Sequence, residues 1–205
     1  MPPKPKDSPT KGDATRFAIE DAAIELFMEH GYHAASMRQI AERAGLALGG
    51  IYNHFKSKEE IFEAIIFDKH PYKRLLPIIL EAEGESIDEF VRNAARIVIQ
   101  DLSSQRYYIK LMLIEIAEFN GAHGAKFINE LAPKILPVFE RIVKERKNLR
   151  ATQPVLLMRS FIGMVLSYML TSIIVSNSML EKLMPKNAVD GYLDLYLYGI
   201  LKPVE

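Results

Sequence analysis

The chain has 205 residues, of which 49% are hydrophobic and 25% charged, a composition typical of a folded globular protein. Its 26 basic and 26 acidic residues give a formal net charge of zero, which excludes a whole-molecule attraction to nucleic acid and leaves only a local basic patch for such a function. There is no cysteine, which excludes a disulfide framework, thiol catalysis and cysteine-ligated zinc.

The N-terminal segment, residues 1–12, is predicted to be a disordered basic tail. It holds four prolines in its first nine residues, together with Lys4, Lys6 and Lys11. It has no apolar run of signal-peptide length, so we expect a cytoplasmic protein.

Residues 14–30 have the spacing of an amphipathic helix. Side chains that recur every three or four positions would form one buried face: Ile19, Ala22, Ala23, Leu26, Phe27 and His30. Gly31 is expected to end this helix. Ser36 and Gln39 then have the spacing of a capping box, which predicts a second helix that ends at Gly45.

A third, short helix is predicted over residues 47–55, directly after the glycine. Ser57 and Glu60 form another capping-box pair, so a fourth helix should begin there and continue until Pro71 and Pro77 interrupt it. Two short helices joined by a tight turn are the helix-turn-helix arrangement, here residues 36–55. The second helix of that arrangement enters the major groove of DNA.

After Gly84 the predicted helices are longer and more apolar. They cover residues 86–103, 105–119, 125–147 (kinked at Pro133 and Pro137), 154–178 and 187–201, with loops at 121–124 and 148–153. The expected fold is all-α with about nine helices. It comprises the tail (1–12), a three-helix helix-turn-helix DNA-binding head (13–72) and a larger helical domain (73–205).

Residues 160–180 carry no charge and approach the length of a membrane span. However, the segment holds seven Ser, Thr or Asn residues and has no flanking lysine clusters. We therefore expect a helix buried within protein and no membrane association.

The helix-turn-helix segment is locally basic. Residues 36–58 contain Arg38, Arg43, Lys56 and Lys58 against Glu42 alone. Contacts to phosphates supply most of the affinity of DNA-binding proteins, so a basic head on a neutral chain fits that function. A solvated helix face would carry the same charges, and charge alone does not separate the two.

The spacing of residues across this segment is more specific. Residues 23–61 resemble, without gaps, the signature of the TetR (tetracycline-repressor-like) family of transcriptional regulators. The matching positions are Ala23, Leu26, Phe27, Gly31, Tyr32, Ser36, Ile40, Ala41, Ala44, Gly45, Gly49, Ile51, Tyr52, His54, Phe55, Ser57, Lys58, Glu59 and Ile61. Beyond residue 70 only a general layout of long helices is shared.

The resemblance implies that residues 46–54 form the recognition helix. Tyr52 and His54 would then donate hydrogen bonds to phosphates. Lys58 would hold a phosphate at the start of the fourth helix, and Ser36 and Arg38 would do so at the second. Ile51 and Phe55 are expected to pack inside the head.

Three positions depart from the family pattern where base contacts are expected: Ala47, Leu48 and Gly50. None of them exchanges side-chain hydrogen bonds with a base edge, although Ala47 and Leu48 could contact thymine methyl groups. Asn53 is then the best polar base reader. The complete predicted DNA-binding set is Ser36, Arg38, Leu46, Ala47, Leu48, Gly50, Tyr52, Asn53, His54 and Lys58.

The resemblance further implies that the larger domain forms a homodimer. Its last two helices are more apolar than a monomer needs, so we expect a four-helix interface, the alternative being that both helices are intramolecular core. The predicted interface residues are Gly163, Ser167, Val189, Tyr192, Leu193, Tyr196, Leu197 and Ile200.

The same domain should bind a small lipophilic or aromatic effector between its middle helices. The candidate lining residues, which could equally be plain core, are Tyr107, Tyr108, Met112, Phe119, Phe127, Met158, Phe161 and Met164. No cofactor or metal is expected, because Glu115, Glu118 and His123 fit a solvated helix end better than a metal site.

Together these patterns and the family resemblance imply a homodimeric, ligand-responsive DNA-binding transcriptional regulator. In this family such a protein is usually a repressor, released by its effector from double-stranded palindromic operator DNA. No catalytic motif is present, so we do not expect an enzyme. The alternative is a helical protein-interaction module whose DNA-binding head is non-specific or vestigial.

Overall fold

The computed structural model describes residues 10–80, 86–105, 107–145 and 153–200. Within these ranges the chain is helical and has no strand, which confirms the all-α prediction, with ten α-helices in place of about nine. They are α1 (Lys11–His30), α2 (Met37–Arg43), α3 (Leu48–Ile51), α4 (Lys58–Asp68), α5 (Tyr72–Leu80), α6 (Ile87–Ser104), α7 (Tyr107–Phe119), α8 (Ala122–Glu145), α9 (Pro154–Val175) and α10 (Ala188–Ile200). A 3₁₀ helix, Met179–Leu183, lies between α9 and α10 and was not predicted.

The described residues divide into two compact units. The first unit contains those up to His70 together with Lys110–Gly124, and the second contains Pro71–Ile109 and those from Ala125 onward. The break after His70 lies close to the predicted boundary at residue 72. The sequence did not indicate that the end of α7 and the start of α8 belong with the first unit.

The first unit is built on α1, which packs against α2 and α4. Its core contains Ile19, Ala22, Ala23, Leu26 and Phe27 from α1, with Ile40, Ile51, Phe55, Ile61 and Phe62 from the following segments. The burial of Ile51 and Phe55 was predicted. The prediction was wrong for His30, which is exposed at the end of α1 beside Glu29.

Side-chain caps fix where the helices of this unit begin. The Oγ of Ser36 accepts a hydrogen bond from the backbone N–H of Gln39 (3.3 Å), and the side-chain Oε1 of Gln39 accepts one from the backbone N–H of Ser36 (2.9 Å). This is the predicted capping box. At α4, Ser57 accepts from the Glu60 N–H (3.1 Å), but the Glu60 carboxylate accepts from the Lys56 N–H (2.6 Å) instead of from Ser57.

The turn between α2 and α3 requires a glycine. Gly45 has φ +70°, and the Leu46 N–H donates to the Ala41 carbonyl (2.8 Å) while the Gly45 N–H donates to that of Glu42 (3.1 Å). These two bonds make a Schellman motif, which ends α2 and redirects the chain.

The third helix is shorter than the predicted span of 47–55. It is α-helical over Leu48–Ile51 and continues as a hydrogen-bonded turn, in which the Phe55 N–H donates to the Ile51 carbonyl (3.0 Å). Its N-cap, Ala47, has no side-chain oxygen to hold the first turn, and Gly49 and Gly50 lower helix stability.

The predicted loop at 121–124 was wrong, because the turn is confined to Asn120 (φ 51°) and Gly121 (φ 78°). The Glu115 carboxylate accepts hydrogen bonds from the N–H groups of His123 (2.8 Å) and Gly124 (2.9 Å). This cap comes from the preceding helix and starts α8 at Ala122. The helix then continues through both predicted kink sites, Pro133 and Pro137.

The second unit has a core formed by α6, α9 and α10. Its buried residues are Val91, Ala95, Leu157, Leu193 and Leu197. Two ion pairs connect α6 with α10: Arg92 to Asp194 (2.6 Å) and Arg96 to Asp190 (2.8 Å).

Helix α9 contains residues 160–175 of the uncharged segment 160–180, and the prediction that this segment is buried was wrong for the single chain. Leu157, Val165 and Met169 are buried, whereas its other apolar side chains are half-buried or exposed, Ile174 at 76%. It is the one described helix long and apolar enough to cross a membrane by length and composition. An apolar sequence predicts that a helix face is buried, but it does not show whether residues of the same chain bury it.

Candidate nucleic-acid interface

The predicted DNA-binding residues lie on the surface of α2, α3 and the turn that follows. Exposed are Ser36, Arg38, Ala47, Leu48, Tyr52 and Asn53, and half-buried are Leu46, Gly50, His54 and Lys58. Because Ile51 and Phe55 are fully buried, the segment is anchored on one side and presents the other to solvent. Such a one-sided arrangement allows a short helix to approach a flat or grooved partner.

Lys58 does not point outward. Its ammonium donates to the carbonyl oxygens of Tyr32 (2.5 Å) and Ala35 (2.7 Å), and lies 4.3 Å from the centre of the Tyr32 ring. Burial lowers the pKa of Lys58. In this geometry the side chain closes the turn between α1 and α2, and its contact with phosphate stays a prediction.

Arg43 is also engaged within the chain. Its guanidinium bonds to Glu25 (2.9 Å) and Glu29 (3.0 Å), which connects α2 to α1. Of the four basic residues in the helix-turn-helix segment, only Arg38 and Lys56 are exposed and form no ion pair within the described part of the chain. The basic surface is smaller than the sequence suggested.

A cluster of aromatic rings packs around Tyr32, in the turn that precedes α2. The Tyr32 ring lies 5.2 Å from that of Phe27, 5.6 Å from Phe62 and 5.1 Å from Phe119. Burial, with smaller contributions from Glu59 and Glu118, raises the pKa of Tyr32 to about 12. The turn that precedes α2 is thus fixed by packing as well as by Lys58.

Glu115 and His123 contradict the prediction of a solvated helix end. Both are buried, and Nδ1 of His123 lies 2.9 Å from the Glu115 carboxylate, while its ring packs 4.6 Å from Phe119. The sequence could not reveal this burial, because the Phe62 ring that packs against His123 belongs to α4, which is distant in the chain. Among the described residues, no three His, Cys, Asp or Glu side chains are grouped to hold a metal ion.

The predicted effector-lining residues are divided between the two units. Met112 and Phe119 belong to the first unit, and Phe119 is part of its ring cluster. In the second unit, Tyr108 and Phe127 are buried, and Phe161 and Met164 pack against the core. Tyr107 and Met158 are half-buried. The pocket stays a prediction.

The predicted dimer residues need a correction. Leu193 (0% exposed) and Leu197 (2%) lie in the core of their own chain, so neither presents its side chain to a partner. Gly163 and Ser167 are exposed, and Val189, Tyr192 and Tyr196 are half-buried; the Ile200 side chain lies outside the described residues. Two apolar residues outside the predicted set, Leu195 and Tyr198, are exposed and lie three positions apart on the other face of α10.

Comparison with known proteins identifies the N-terminal segment. Residues 19–65, from α1 to α4, match the family "Bacterial regulatory proteins, tetR family". The HTH-type transcriptional regulator UidR of Escherichia coli (strain K12) is 44% identical over 57 residues, which are 28% of this chain and 29% of that protein. The similarity to UidR therefore spans less than a third of either chain.

Solved structures extend the likeness to the whole fold. GusR of Salmonella enterica superimposes with a TM-score of 0.70 at 21% identity, covering 95% of this chain and 98% of that one. FadR from Bacillus subtilis, solved in complex with stearoyl-CoA, has a TM-score of 0.67 at 23% identity, covering 90% and 98%. These identities establish the fold alone. Residues 19–65 therefore match the tetR family of bacterial regulatory proteins, and the chain as a whole shares the fold of these solved structures.

Proposed function

We propose that this protein is a DNA-binding transcriptional regulator whose α3 and following turn read an operator in the major groove. The observation that carries the proposal is the one-sided anchoring of residues 46–54. Ile51 and Phe55 hold the segment to the core, while Leu48, Tyr52 and Asn53 face solvent. A recognition helix needs this combination of rigid support and outward side chains.

The contacts divide by role. Tyr52, His54, Ser36 and Arg38 bind phosphates and set the position of the head on the duplex. Asn53 contacts a base edge, since an amide carries both a donor and an acceptor.

The functional unit is a cytoplasmic homodimer. The exposed apolar side chains of α9, with Leu195 and Tyr198 on α10, support a second copy as the partner that covers them. A two-fold dimer presents two heads to a palindromic operator, with half-sites about 34–36 Å apart.

The proposed effector is a lipophilic or aromatic molecule, and its binding releases the repressor from the operator. The apolar side chains predicted to line the site support this class of ligand, and the related FadR structure contains stearoyl-CoA. A typical coupling lowers operator affinity about 5- to 150-fold. By linkage, the operator must weaken effector binding by the same factor.

A salt-titrated binding measurement tests the function. The full chain is titrated against duplex DNA from upstream of its own gene and against a random duplex of equal length, at several salt concentrations. We expect the upstream DNA to bind about 10³-fold or more tightly, a difference that persists as salt weakens both. Equal affinity for the two duplexes would exclude specific regulation and favour an interaction module with a vestigial head.

A further inference from the structure

The surface of α3 lacks polar side chains. From Leu46 to Ile51 every residue is aliphatic or glycine. Between Thr10 and His70, three large hydrophobic side chains are exposed: Phe17, Leu48 and Tyr52. The ammonium of Lys69 lies over the Phe17 ring at 5.2 Å, whereas Leu48 (44% exposed) lies one helical turn before Tyr52 on the outward side.

Gly49 and Gly50 have no internal reason to be glycine. Their φ angles are not in the left-handed region, in contrast to that of Gly45. A Cβ at Gly49 would meet nothing within 4 Å, and one at Gly50 would meet only the Leu46 Cβ, at an ordinary 3.9 Å. Glycine weakens a helix relative to alanine, so the chain keeps a less stable helix in which Gly49 is exposed and Gly50 is half-buried.

We infer that Leu48, together with the bare backbone of Gly49 and Gly50, reads thymine C5-methyl groups in the major groove of the operator. The inference rests on the proposed function. Leucine neither donates nor accepts hydrogen bonds, and thymine is the base that presents a methyl group in that groove. The absence of Cβ atoms at Gly49 and Gly50 lets the groove approach closely enough for Leu48 to cover the methyl.

Replacing thymine by deoxyuridine tests this recognition, because the two bases differ only by the methyl group. An operator is first selected from random duplexes with the full chain, then synthesised with thymine or deoxyuridine. We expect deoxyuridine to weaken binding about fourfold for each methyl group that is buried. Leu48→Ala should abolish this sensitivity, and Leu113→Ala, a similarly exposed leucine in the first unit, should retain it.

Two outcomes separate this inference from the function on which it rests. If an operator is selected but deoxyuridine binds equally well, or Leu48→Ala keeps the full sensitivity, then methyl recognition by Leu48 is wrong while specific binding stands. If the selection enriches no sequence, the proposed function itself is wrong.

A second variant tests the close approach of the backbone. Gly49→Ala should raise the melting temperature, since its Cβ enters open space and alanine favours the helix. The same change should weaken operator binding about 5- to 150-fold, as an extra methyl group does in a closely packed contact. A more stable variant that binds its operator unchanged would overturn this part of the inference.

Discussion

At the scale of single residues, the half-buried Lys58 and the buried Glu20 of the first unit both give testable predictions. Lys58 donates to the carbonyls of Tyr32 and Ala35, and Glu20 is 0% exposed on α1. Neither carboxylate oxygen of Glu20 has a hydrogen bond from the described part of the chain, and the Arg16 Nε lies 3.4 Å away. Both environments give predictions that the sequence alone would not give.

Substitution of Lys58 separates a role in stability from a role in phosphate binding. Because Lys58→Met leaves the carbonyls of the α1–α2 turn without their charged donor, we expect the free energy of unfolding to fall by about 1.5–3 kcal/mol. The slope of log affinity against log salt should stay unchanged. The exposed Lys56 is the control: Lys56→Ala should reduce that slope by about 1 with little loss of stability. A slope reduced by Lys58→Met would show instead that Lys58 contacts a phosphate.

Glu20 makes stability depend on pH. Burial, then the charge of Asp68, raises its pKa from 4.5 to about 7, while Lys69 and Arg16 act in the opposite direction and Asp21 adds slightly to the rise. Between these two pH values the folded chain holds a proton that the unfolded chain has lost. The contribution of Glu20 to stability therefore falls as pH rises from about 4.5 to 7 and is constant above that range.

Glu20→Gln should remove this dependence. We expect the variant to exceed the wild type in free energy of unfolding by about 1–3 kcal/mol at pH 8, where the wild type buries a charge. The difference should shrink towards pH 5. Urea unfolding at the two pH values measures it, and a difference that does not change with pH would contradict the burial of an ionisable Glu20.

At the scale of helices, the sequence predicts boundaries well where the cap is local and poorly where it is not. Ser36 with Gln39, and Gly45, lie within a few residues of the ends that they fix, and both predictions were confirmed. The start of α8 depends on Glu115, which lies in the previous helix, and the prediction failed there. The prediction that α9 is buried failed for a related reason. The sequence does not show whether an apolar face is covered by the same chain or by another.

The exposed face of α9 gives a prediction about assembly. Ile162→Glu places a charge on this face and should convert the proposed dimer to a monomer, since burying an unpaired carboxylate costs more than an interface contact gains. Ile78→Glu on α5, where the isoleucine is similarly exposed (43% against 48%), should leave the dimer intact. Sedimentation velocity gives the mass of each variant. An Ile162→Glu protein that stays dimeric would exclude this face as the interface.

At the scale of the whole molecule, the chain has no net charge, and its proposed function depends on the surface formed by α2, α3 and the turn that follows. The spacing of residues 23–61 was enough to predict the helix-turn-helix and the family that this segment matches, because the motif is held by local turns and caps. It was not enough to predict which basic residues face outward. Arg43 is bound by Glu25 and Glu29 of α1, and these pairings exist only once α1 and α2 pack together.

The surface that remains exposed is small and unusually apolar for a DNA reader. Arg38 and Lys56 are exposed, and Ala47, Leu48 and Gly50 stand where the family resemblance would place polar base readers. If the proposed function holds, operator specificity depends on close fit and on few charges, so the salt dependence should be modest for each head.

Footprinting of the full chain on DNA upstream of its own gene is the most direct test of the central claim. We predict two protected half-sites whose centres are separated by 10–10.5 base pairs or a multiple of that spacing. Protection should be lost when Leu48 and Asn53 are both replaced by alanine. Uniform coverage of the fragment, or protection that survives both substitutions, would contradict sequence reading by α3 and the turn that follows it.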